Sequence, residues 1–328
     1  MPTTPSHDRQ LHAYQPQDAH QKECIVTITI TVIGLGNMGR GMALTLQRAG
    51  FTVQGSDIDP VARQRLADEG LATLAPEALG ASDIYLLSLP TSAHVERVLT
   101  ESPGLLTLAP KGSVIMDTST SDPSVTRRLA ARVEAAGLEW LDAPVSGGPA
   151  GAIEGKLGML LGGSAATVAR LEPVLDALSA KATHVGGPGS GHVVKLANNY
   201  LCAAHLLSTA EAVAMARRAG VDPAACLQGL NSGSGRSAVS EVNFPRWILS
   251  ETFDSGFSTG LMRKDLRLAR QTADALEMPE GLLGKVVEAW HADTENLSDG
   301  EDFNAITRLL LDAAERYAST HNDEETHP

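Results

Sequence analysis

The apolar positions change their spacing along the chain, and that change divides it. Across 25–33, β-branched residues follow one another almost without a break, the pattern of a strand buried on both faces. A glycine turn then feeds a helical stretch that closes at Gly50. Short apolar runs alternating with helical stretches recur at 52–56, 84–89 and 114–116, as a doubly wound, mostly parallel sheet demands. Two more strands are expected at 157–161 and 182–185, with a helix over 165–178 between them. From Gly189 on the spacing becomes helical almost throughout.

The longest helical stretch runs from Gly189 to Gly220. It contains no Pro or Gly over the 28 residues from His192 to Ala219, about 42 Å of helix. Ser190 stands where a side-chain cap is expected, Arg217 and Arg218 sit in the last turn, and Gly220 gives the stop. Its apolar residues fall around most of its circumference, so neighbours should bury it on several sides. Further helices are expected after Phe257 and over 282–291 and 303–318, with a glycine-serine loop at 231–237. The fold class is therefore α/β: a Rossmann-type, doubly wound, mostly parallel sheet, then an all-helical C-terminal domain, joined by one long interdomain helix. The boundaries drawn are 1–23 for a polar disordered extension, 24–188 for the dinucleotide-binding domain, 189–320 for the helical substrate and oligomerisation domain, and 321–328 for a tail.

Composition narrows the partners. A net charge of −13 leaves no basic stripe for nucleic acid, and no apolar run approaches the ~20 residues that span a bilayer. Three cysteines, Cys24, Cys202 and Cys226, have no metal-ligand spacing; they point to free thiols in the cytoplasm and to no bound metal. A long helix with more apolar surface than its own domain covers points to a homodimer or homotetramer.

The candidate chemistry sits at glycine-rich junctions. Gly34-Leu35-Gly36-Asn37-Met38-Gly39 lies between a strand and a helix, where the three glycines serve a tight turn, close approach of a pyrophosphate and helix packing. Asp57 follows the second strand, 23 residues after Gly34, the place for an acid that binds the adenosine ribose. NAD is accordingly favoured over NADP, although Arg63 and Arg65 lie in the following helix. Leu89, Pro90, Ser119 and Thr120 lie at carboxyl ends of strands, where such sheets bind ligands. The stretch 142–163 holds seven glycines in 22 residues and is expected to be a loop whose backbone donors wrap a small anion. On the long helix, Lys195, Asn198 and Asn199 share one face. A lysine so near a helix N-terminus sits in a field that disfavours its own charge, which suits a tunable acid/base.

Four segments in order, GLGNMGRGM, DAPVSGGPAGA, GHVVKLANN and KDLRLA, resemble the motifs of the β-hydroxyacid dehydrogenase family over about 25–310. The resemblance implies an NAD(P)-dependent dehydrogenase with Lys195 as catalytic acid/base and Asn199 orienting the substrate. It places Ser119 and the backbone of Ser146, Gly147 and Gly148 around a substrate carboxylate, with Phe257 lining the pocket. Thr120 and Lys264 then approach the nicotinamide, and Asp265 supports the lysines. The expected substrate is a small anionic hydroxy acid, a short 3-hydroxy carboxylate or its semialdehyde. Two rival readings remain at this level: an imine reductase-like enzyme, and a catalytically silent dinucleotide-binding sensor or scaffold.

Overall fold

The structure is a computed structural model that describes residues 28–101, 103–292 and 297–311. The polar extension, Cys24, the first residues of the 25–33 run, the end of the 303–318 helix and the tail lie outside the described residues.

The first half alternates strands and helices: β1 (Thr29–Ile33), α1 (Asn37–Arg48), β2 (Thr52–Ser56), α2 (Pro60–Asp68), β3 (Ala72–Leu74), β4 (Ile84–Leu87), α3 (Ser92–Thr100), α4 (Leu105–Leu108), β5 (Val114–Asp117), α5 (Pro123–Ala135) and β6 (Glu139–Asp142). Then come β7 (Val145–Ser146), α6 (Gly148–Glu154), β8 (Leu157–Gly163), α7 (Ala165–Leu178) and β9 (Ser179–Gly186). The strands form one sheet in the order β3-β2-β1-β4-β5-β6-β8-β7, with β9 paired to β8. Pairs from β3 through to β6 are parallel, whereas β8 runs antiparallel to β6 and β7.

Side-chain alternation explains the double winding. In β4, Ile84 and Leu86 enter one apolar cluster, and Tyr85 and Leu87 enter another. The first cluster is roofed by α1 and α7, through Met42, Leu46, Leu171 and Val174; the second by α3 and α5, through Val95, Leu99, Leu129 and Val133. A strand apolar at every position is thus buried on both faces. β9 differs from its expectation: it begins three residues earlier and is exposed over most of its length, an edge strand held by backbone pairing to β8.

The second half is helical: α8 (Ser190–Arg218), α9 (Pro223–Asn231), a π-helical segment (Val239–Ile248), α10 (Thr259–Ala275) and α11 (Leu282–Ala292). A third apolar cluster joins them through Leu206, Val213, Phe244, Leu266, Val286 and Trp290. α8 crosses between the two halves. Its first turn packs on β8 and β6, where a side chain on Gly191 would overlap the Leu160 carbonyl, and its later turns enter the helical cluster. Among the described residues, no helix is long and apolar enough to cross a membrane.

Candidate active site

Two features start the site, both at helix N-termini above the sheet. At α1, Gly34 has φ of +93° and donates its N–H to the Ser56 carbonyl at 2.9 Å. A side chain there would overlap the carbonyl oxygen of Ser88, and one at Gly39 would overlap that of Gly34. Gly36 is different, because a Cβ built on it meets nothing within 4 Å. It begins α1 with no side-chain cap and no acidic residue in the first turn. The three glycines therefore divide into turn, open approach and helix packing, and the open one faces unspent backbone donors. Asn37 is exposed beside it, while Leu35 and Met38 pack inward. These residues fit a dinucleotide pyrophosphate, whose charge the helix start favours. Asp57 lies next to this turn and accepts N–H groups from Leu35 at 2.6 Å and Asp59 at 2.9 Å. Arg63 donates to the Asp57 carbonyl at 2.6 Å, so its guanidinium lies at the same corner. Arg65 is exposed.

The start of α8 corrects an expectation. Ser190 does not cap it; Gly189 precedes the helix in the left-handed region, and the cap comes from Asp142, 47 residues earlier. This buried carboxylate accepts the Gly189 N–H at 2.7 Å, the Trp140 indole N–H at 3.2 Å and the His192 N–H at 3.3 Å. Burial raises the Asp142 pKa from its ordinary carboxylate value, against these donors, which favour the charged form. A protein carboxylate already fills this helix start, so the positive field expected to act on Lys195 is compensated.

Lys195 is 6% exposed and donates to the Ser146 hydroxyl at 2.9 Å. Its pKa lies below the ordinary 10.5, chiefly because burial strips water from the ammonium; Lys264 adds repulsion, while Asp265 and Cys202 oppose the shift. Asn199, one turn on, is also buried and donates to Asp265 at 2.6 Å; Asn198 turns to the surface and donates to Asn199 at 3.1 Å. Asp265 pairs with Lys264 at 3.2 Å, and Lys264 reaches across to the carbonyls of Thr120 at 3.1 Å and Pro90 at 3.4 Å. One lysine of α10 thereby ties the helical half to the loops after β4 and β5. Cys202, further along this face of α8, has its thiol pushed up to about 11 by burial and stays protonated at neutral pH.

The glycine stretch is more ordered than a loop. Besides β8, which covers the strand expected at 157–161, it forms β7 and α6, and only Gly147 and Gly148, with φ of +119° and +65°, make the turn that follows Ser146. Gly162 and Gly163 instead make room for Asp142 and for the Trp140 carbonyl. Gly148 faces the Ser255 carbonyl and Gly256 abuts Pro149, which brings the loop carrying Phe257 against this turn. Phe257 stacks edge-on with Phe303, centroids 5.3 Å apart. Ser119 is buried, and its hydroxyl accepts the Leu89 N–H at 2.9 Å. Arg236 lies at the surface beside Glu241, 3.7 Å away.

The comparisons with known proteins agree with this layout. Residues 29–186 match the model of the NAD-binding domain of 6-phosphogluconate dehydrogenase, and residues 189–310 match that of the NAD-binding domain of NADP-dependent 3-hydroxyisobutyrate dehydrogenase. The chain is 39% identical to the 2-hydroxy-3-oxopropionate reductase of Escherichia coli K12, over 85% of its own length and 95% of the relative's. It belongs to the β-hydroxyacid dehydrogenase family. Within that family, the structure of Mycobacterium tuberculosis 3-hydroxyisobutyrate dehydrogenase with L-serine aligns at a TM-score of 0.80 and 31% identity, covering 87% of this chain and 99% of that one. An imine reductase from Myxococcus stipitatus shares the fold at a TM-score of 0.57 and 20% identity, covering 86% and 99%. That likeness is one of fold alone.

Sequence reasoning missed two residues of this site, Asp142 and His192. Both lie inside motifs it did single out, but their roles depend on contacts 47 or more residues away.

Proposed function

We propose that this chain interconverts a short 3-hydroxy carboxylate and its semialdehyde, with NAD(P) as redox partner and Lys195 as acid/base. The observation that carries the reading is a buried lysine of lowered pKa that donates to the Ser146 hydroxyl, one helical turn before Asn199. When bound, nicotinamide dinucleotide supplies the carrier that takes hydride from the substrate carbon or returns it. Lys195, neutral, takes the hydroxyl proton in oxidation; as the ammonium it returns a proton to the alkoxide oxygen in reduction. That ammonium, buried from water, also stabilises the oxyanion. Ser119 and the backbone of Ser146, Gly147 and Gly148 hold the carboxylate. Asn199, fixed by Asp265, keeps a second amide N–H for a substrate oxygen. Lys264, Thr120, Leu89 and Pro90 would hold the nicotinamide end of the cofactor, and Phe257 would line the substrate pocket.

NAD is the favoured cofactor. Each Asp57 oxygen accepts one backbone N–H and keeps lone pairs for ribose hydroxyls, whereas a 2′-phosphate would bring its charge against the carboxylate. The division of labour follows residues 24–188 and 189–320, and Leu201 and Met215, 51% and 70% exposed on α8, belong to a homodimer or homotetramer interface. Light scattering should give a particle larger than 34.4 kDa. The thiols of Cys202 and Cys226 suit the reducing cytoplasm.

Turnover tests the reading. Wild type should oxidise 3-hydroxyisobutyrate or reduce 2-hydroxy-3-oxopropionate, and should leave a cyclic imine unreduced. Lys195→Met should lose ~10²–10⁴-fold in kcat while still binding NADH. Imine reduction at comparable rates would favour the imine reductase reading, and NADH binding without any turnover would favour the sensor.

A further inference from the structure

His192 is fully buried, belongs to no step proposed above, and joins three elements. Its Nε2 lies 2.9 Å from the Ser119 carbonyl oxygen after β5, and its Nδ1 lies 2.9 Å from the Thr126 hydroxyl on α5. A carbonyl can only accept, so Nε2 carries the proton; in the neutral ring Nδ1 then accepts from Thr126. The Asp117 carboxylate, 3.8 Å from Nε2, also receives the Ser119 N–H at 3.0 Å. Ser119 is thus held at its N–H by Asp117, at its hydroxyl by Leu89 and at its carbonyl by His192. Because the Ser119 hydroxyl oxygen accepts from Leu89, its own proton remains free to donate.

His192 stands three residues before Lys195 on the same helix, nearly one turn away. Of the three bonds that hold Ser119, the one from His192 is the one anchored in α8. We infer that His192 is a positioning residue that sets the carboxylate-binding hydroxyl of Ser119 relative to Lys195, so that the enzyme's preference for an anionic substrate depends on the imidazole. This rests on the reading of Ser119 given above. A displaced donor weakens ground-state binding of the carboxylate more than it alters proton transfer at the distant hydroxyl, so the loss falls on KM rather than kcat.

The test compares 3-hydroxyisobutyrate with its primary amide in wild type, His192→Leu, His192→Gln, Ser119→Ala and the double variant His192→Leu/Ser119→Ala. His192→Leu should raise KM for the acid about tenfold, with kcat within about threefold and the amide little changed. His192→Gln, whose amide N–H can reach the same carbonyl, should recover most of the loss. The double variant should be no worse than Ser119→Ala, because both changes remove one arrangement. NADH binding, followed by fluorescence, should stay as in wild type. An acid-to-amide ratio unchanged in His192→Leu, or losses that multiply in the double variant, would overturn the inference while leaving Ser119 in place. An unchanged ratio in Ser119→Ala would overturn both. Should His192→Leu fail to fold, Thr126→Val removes the donor to Nδ1 and should lower the ratio about threefold; no change there overturns the inference as well.

Discussion

The starts of α1 and α8 look alike in sequence, each a glycine-led entry into a helix, yet they do opposite things. At α1 no side chain caps the helix, and the space beside Gly36 is open. At α8 the carboxylate of Asp142 is packed in, between glycines that leave it room. One helix start can take a ligand's charge; the other has been filled from within. The difference teaches what lowers the pKa of Lys195. A bare helix start would lower its pKa by direct repulsion, but this one is neutralised, and the shift comes first from burial.

Removing the filled cap should have the largest effect on the protein itself. Asp142→Ala strands the Gly189 and Trp140 donors and should lower stability by about 2–3 kcal/mol in urea unfolding. A loss below about 0.5 kcal/mol would mean that α8 needs no cap. Filling the open start is the converse. Gly36 has φ of −61°, which alanine adopts freely, so Gly36→Ala should keep the wild-type Tm and weaken NADH binding about tenfold, or ~1.4 kcal/mol. An unchanged Kd would place the pyrophosphate elsewhere. The smallest effect is expected at Asp57, which borders the open start without filling it. Asp57→Ala should narrow the NAD-over-NADP ratio of kcat/KM about fivefold, and a wild type that prefers NADP tenfold would assign control to Arg63 and Arg65.

The elements were legible where local rules decide them. β2 and α7 fall where the apolar pattern puts them, and α7 does so despite an internal Pro173. The glycine turn was legible for the same reason, since sterics at Gly34 and Gly39 are set by the strand-turn-helix path itself. What escaped were roles made by long-range contact. Nothing within a turn of Asp142 says that a helix start will arrive beside it, and His192 has no local mark that separates it from an ordinary core residue. The glycine stretch misled because packing and ligand binding both demand a missing side chain. Only the tertiary structure separates Gly147 and Gly148 from Gly162 and Gly163. The π-helical segment, which accommodates Pro245 and closes with the Leu249 N–H donating to Phe244, also has no simple periodic signature.

The measurement that reaches the centre of the account is the pH dependence of kcat/KM for 3-hydroxyisobutyrate oxidation. In the proposed mechanism oxidation needs Lys195 neutral, so activity should rise with pH through the lysine's pKa and level off, with a midpoint clearly below the ordinary 10.5. Reduction needs the ammonium and should fall through the same midpoint. Asp265→Asn removes the charge that favours the ammonium and should move the midpoint lower still. A midpoint at or above 10.5, or one that Asp265→Asn leaves in place, would contradict the assignment of the proton to a buried Lys195.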